Sequence, residues 1–66
     1  MEVFEISVRP YAYELNCPNN RRTLGFPTLL SAFAFAQLSM SKTDAEMVIH
    51  SDGKVDEHVP LYRMTP

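Results

Sequence analysis

The stretch Leu29 to Met40, LLSAFAFAQLSM, constrains this chain more than any other segment, because it has helical character and carries no charge at all. Pro27 closes whatever precedes it, the hydroxyl of Thr28 suits a helix N-cap, and Ser41-Lys42 begin the exit, so the spacing predicts a helix over 29–40. At about 100° per residue, Leu29, Phe33 and Met40 form one stripe, with Leu30 and Ala34 on its flank. The opposite side holds Ser31, Phe35 and Ser39, which places a phenylalanine in the middle of the expected wet face. A helix that is apolar nearly all round is normally covered on more than one side. A chain of 66 residues has room for a single sheet beneath it, so the far side calls for a second surface.

The rest of the chain reads as strands. From Val3 to Val8, Phe4, Ile6 and Val8 alternate with Glu5 and Ser7, the period of a half-buried strand. After Arg9-Pro10 the alternation resumes as Tyr11, Tyr13 and Leu15 against Ala12 and Glu14. A tight connection at Arg9-Pro10 would pair Val8 with Tyr11, Ile6 with Tyr13 and Phe4 with Leu15. It would also set Glu5 opposite Glu14 and put proline at the disfavoured second central position, so a bend or bulge at Pro10 is the alternative. Residues 16–21, NCPNNR, form an exposed loop, and residues 22–26 make a third short strand with Leu24 and Phe26 inward.

Near the C-terminus, AEMVIHSDGKVDEHV reads as a hairpin around Asp52-Gly53. A three-residue loop, Ser51-Asp52-Gly53, separates the faces best, pairing His50 with Lys54, Val48 with Asp56 and Glu46 with His58. Ala45, Met47, Ile49, Val55 and Val59 then share one face, with Glu57 as the intruder, and Gly53 takes a left-handed conformation. Residues 60–66, PLYRMTP, have no settled period and read as a tail. The expectation is one α+β domain over residues 1–66, ordered β-β-β-α-β-β, with one curved antiparallel sheet and a single helix on its apolar face.

Composition narrows the function. So short a chain buries only about 60% of its unfolded surface, which leaves a lone monomer near break-even. Cys17 is the single cysteine, so no internal disulfide staples the fold, and a lone thiol fits a reducing cytoplasm. His50 and His58 lack the spacing of a tetrahedral metal site. MEVFEISV has neither the basic start nor the long apolar run of a signal peptide, and the uncharged stretch 25–41 is too short to span a bilayer. Net charge is −2, but residues 44–59 set Asp44, Glu46, Asp52, Asp56 and Glu57 against Lys54 alone. Nucleic-acid binding draws most of its affinity from phosphate neutralisation, and the basic surface this needs is missing.

Each chemical constellation has a plainer explanation. His50 and His58 with Asp52, Asp56 and Glu57 suggest acid/base chemistry, but the expected register puts the imidazoles at opposite ends of the hairpin, on a solvent-facing sheet surface. Cys17 has no neighbouring histidine to activate it. Tyr11, Tyr13, Phe4 and Phe26 suggest a base-stacking platform, yet they share parity with Ile6, Val8 and Leu15 and so belong to the core. Arg21-Arg22 is a two-charge patch at a loop end. Gly25 and Gly53, the only glycines, cannot build a phosphate cradle. No catalytic, cofactor-binding or metal-binding residue is expected, and the chain reads as a non-enzyme.

The stretch Ala45–Val55, AEMVIHSDGKV, resembles a family of small bacterial domains of uncharacterised function. These combine an aromatic-containing hairpin, an alanine-rich helix and a strand ending in Val-His or a similar pair before an Asp-Gly turn. Ala32, Ala34 and Ala36 fit the helix, and Tyr11 or Tyr13 stands where such domains carry tryptophan. The resemblance implies a fold and no activity. The functional expectation is a small cytoplasmic protein-interaction or regulatory module that forms a homodimer, takes no cofactor and does not enter a membrane. Its expected interface is Ser31, Phe35 and Ser39, with Leu61, Tyr62 and Met64 as the tail residues that dock there or cover Phe35 within one chain. A nucleic-acid accessory protein, or a phage-type inhibitor whose acidic hairpin imitates a nucleic-acid backbone, is the alternative.

Overall fold

Strand β1 (Glu2–Val8) realises the predicted alternation, with Phe4 and Ile6 fully buried and Val3 and Glu5 on the other face. The computed structural model describes residues 1–19 and 22–63. After β1 come β2 (Tyr13–Asn16), β3 (Thr23–Phe26), helix α1 (Leu29–Ser39), β4 (Asp44–His50) and β5 (Glu57–Tyr62). They form one open five-stranded sheet in the order β3-β2-β1-β4-β5, with α1 packed on one face. The α+β class and the element order are those expected. The sheet is mixed, however, because β1 and β4 run parallel. Hairpins reverse the chain, but α1 returns it to the end of the sheet from which β3 started, so β4 must run in the direction of β3 and β1.

Helix α1 begins where Thr28 places it. The Thr28 hydroxyl accepts from the Ser31 N–H at 3.1 Å, and the Ser31 hydroxyl closes a capping box on the Thr28 backbone. The buried stripe is rotated from the expected one: Ala32, Ala36 and Met40 are buried, Leu29 and Phe33 are partly buried against them, and Leu30 is 80% exposed. Phe4, Ile6, Leu15, Met47 and Leu61 fill the space above the sheet. Alanines let the helix backbone lie close over these large side chains, where leucines would overpack the same gap.

Both hairpins keep their predicted faces but slip by two residues. In the first, Val8 pairs with Tyr13 and Ile6 with Leu15, and the Arg9 N–H donates to the Ala12 carbonyl at 2.9 Å. The slip moves Pro10 to the favourable first position of the turn and sets Ser7, not Glu5, opposite Glu14. Tyr11 is consequently exposed. In the second, Met47 pairs with Val59, Val48 with His58 and Ile49 with Glu57, which overturns the His50–Lys54, Val48–Asp56 and Glu46–His58 pairs. The shift places Leu61 opposite Ala45 in the core and leaves Val55 90% exposed, a gain because leucine is the larger apolar group. Pro60–Tyr62 are therefore part of β5 and not a tail. Gly53 has φ +70°, as expected, within the longer connection.

Glu2 ties the start of β1 to the exit of the helix. Its carboxylate, on a residue only 6% exposed, accepts from the Ser41 N–H, the Ser41 hydroxyl and the Lys42 N–H at 2.9, 2.8 and 3.0 Å. These bonds, the Ser41 hydroxyl first, hold the carboxyl below its ordinary range.

Candidate interaction surface

The outer face of α1 is lined by Leu30, Ser31, Ala34, Phe35 and Leu38, of which Leu30 and Leu38 are 80% and 75% exposed. Their i, i+4, i+8 spacing stacks Leu30, Ala34 and Leu38 in one row. Neither end of the helix adds charge, since the first turn has no acidic residue and the last no basic one. A shallow apolar depression of about 360 Å³ lies around Leu29, Leu30 and Phe33. Leu30 and Leu38 are the residues that sequence reasoning missed, because a helix without charge gives its periodicity no polar side from which to orient the rest.

The residues expected at the interface do not form one surface. Phe35 sits on the shoulder of the helix over β3, 38% exposed, its ring tilted against Phe26 at 5.4 Å between centroids. The Ser31 hydroxyl is engaged in the cap, and that of Ser39 donates to the Phe35 carbonyl at 2.8 Å. Leu61 is a core residue, 2% exposed, on the opposite edge strand from β3. Tyr62 is exposed there, its carbonyl accepting from the Gln37 side chain at 3.3 Å. Met64 lies outside the described residues. Because β5 and β3 are opposite edges, the segment through Tyr62 does not cover Phe35.

A cleft of about 130 Å³ opens between Glu2, Cys17, Pro18, Phe35 and Ser39. Burial, with the field of Glu2 added, pushes the Cys17 thiol up, which keeps it protonated and weakly nucleophilic at neutral pH. Phe4, Tyr13 and Phe26 pack with the core, on the helix side of the sheet.

The other sheet face sets Val3 and the buried Val48 among polar side chains that pair with one another. His50 is bracketed by two carboxylates, Nε2 at 2.8 Å from Glu5 on β1 and Nδ1 at 2.9 Å from Asp56 just before β5. His58 Nδ1 meets Glu46 at 2.6 Å, and Arg9 pairs with Glu14 at 2.9 Å. The acidic segment is thus not a free run of charge, since Glu46 and Asp56 each hold a histidine. Glu5 and Asp56 occupy opposite ends of the His50 ring, so the three groups do not converge on a common point. Among the described residues no group of three or more histidine, cysteine, aspartate or glutamate side chains could hold a metal ion. No helix among them is long and apolar enough to cross a membrane.

An α+β unit with one bare apolar helix face is the class that fold and surface define. Comparison with known protein families, with curated proteins and with solved structures found no match to this chain.

Proposed function

We propose that this protein is a small non-catalytic interaction module that works in the cytoplasm and self-associates through the outer face of α1. The observation that carries the reading is the pair Leu30 and Leu38, 80% and 75% exposed on either side of Ala34. A second copy fits this face better than a charged partner does, because there is no charge on the helix for such a partner to meet. An uncharged stripe is self-complementary about a two-fold axis, and Ala34 at its centre lets two helix backbones approach. In this reading Phe35 and Ser31 form the rim on the β3 side.

Magnitudes set the strength of this association. Complete burial of a leucine is worth about 1.5–3 kcal/mol, and each copy contributes two. Lost translational and rotational freedom costs roughly 4–15 kcal/mol, so the dimer is weak and depends on concentration. Sedimentation equilibrium from micromolar to millimolar protein tests this. The mass should rise from the 7.5 kDa of one chain towards twice that value. Leu30→Glu and Leu38→Glu should each hold it at one chain while leaving circular dichroism unchanged. A wild-type mass of one chain throughout would refute the reading. Leu61→Glu is no substitute, because it buries a charge in the core and unfolds the protein.

A further inference from the structure

We propose that His50 is a pH-operated latch that fastens the loop 51–56 to strand β1. The geometry supplies the argument. Both ring nitrogens lie within hydrogen-bond distance of carboxylate oxygens, Glu5 on one side and Asp56 on the other. A neutral imidazole has a single N–H, so only the imidazolium donates to both acids at once. Glu5 is separated from His50 by 45 residues of sequence and Asp56 ends the loop, so one ring joins β1, β4 and the β4–β5 connection.

The groups around the ring favour its charged form. From β1 come Glu5 and the neutral Ser7, the register partner of His50. From the loop comes Asp56. Hydrogen bonding to Glu5, then to Asp56, raises the His50 pKa against the opposing effect of burial. On its own strand Glu46 is engaged by His58. Asp52 of the loop adds to the field on Arg9, which Glu14 already pairs. Lys54 is exposed at the loop tip. The contact that ties the loop to the first hairpin is therefore the titratable one, at His50.

When His50 loses its proton, one of its two acids loses a donor. Glu5 sits on the central strand, paired on both sides, whereas Asp56 follows the exposed residues Gly53, Lys54 and Val55. The Asp56 arm is the one that opens. The folded pKa is raised, so this contribution is complete below the unfolded histidine value of about 6.5 and is lost as the pH rises through the folded value.

A nuclear magnetic resonance titration from pH 5 to about 9, following the His50 ring and the amides of residues 51–56, tests the latch. The loop amides should shift with the same midpoint as the ring. Glu5→Gln and Asp56→Asn, both surface changes, should each lower that midpoint, and Glu46→Gln, whose carboxylate does not touch the His50 ring, should leave it in place. In His50→Gln the loop shifts should lose their pH dependence. A His50 midpoint equal in wild type, Glu5→Gln and Asp56→Asn overturns the proposal, as do loop amides that do not follow the ring.

Discussion

The ring of Phe35 meets that of Phe26 with centroids 5.4 Å apart and planes tilted by 48°, joining the middle of α1 to the end of the edge strand β3. This contact is the main aromatic link between the helix and that edge, and it explains why a phenylalanine survives on a helix flank. Tilted aromatic pairs contribute about 0.5–1.5 kcal/mol beyond the area they bury.

Urea denaturation of Phe26→Leu, Phe35→Leu and the double variant should therefore give a coupling energy of about 0.5–1.5 kcal/mol. Each single change should cost less than the roughly 3–5 kcal/mol typical of emptying a buried aromatic site, since Phe35 remains 38% exposed and leucine keeps part of the packing. Additive single effects would mean that the two rings touch without stabilising each other.

Glu2 should make the fold sensitive to acid. Its carboxyl is held below the ordinary range by the Ser41 hydroxyl and by the backbone N–H groups of Lys42 and Ser41. A depressed folded pKa means that the contribution is present above the unfolded value of roughly 4.3 and is lost as the pH falls through the folded value. Glu2→Gln should lower Tm at pH 7 and flatten the dependence of Tm on pH below about 5. A variant whose Tm tracks wild type across that range would show that Ser41 and Lys42 are held by other means.

Gly53 should resist replacement for a reason confined to its backbone. Its φ is +70° and a Cβ built there would meet nothing within 4 Å, so the cost is conformational and not steric. Gly53→Val should lose on the order of 1–2 kcal/mol in denaturant titrations, and Gly53→Asn distinctly less, because asparagine tolerates the left-handed region. Equal losses for the two would point to a cause outside the backbone.

Side-chain alternation and turn chemistry, both local, made much of this fold legible. Phe4 and Ile6 against Glu5, Met47 and Ile49 against Glu46, the Thr28 cap and the positive φ of Gly53 all follow from residues a few positions apart. Local pattern is blind to a slip of two residues, however, since such a slip returns every side chain to the same face. Choosing between Val55 and Leu61 as the core partner of β4 needed the whole buried cluster. The parallel pairing of β1 with β4, which brings Glu5 to His50, is set by the path of α1 across the sheet and has no signature in either strand.

The helix marks the boundary most clearly. Its existence, its cap and its lack of charge were determined by residues 28–40 alone. Which side faces inward was decided only in the tertiary structure. With no polar stripe to orient it, the helix settled by fit, setting Ala32 and Ala36 over the large side chains of the sheet and turning Leu30 and Leu38 to the outside.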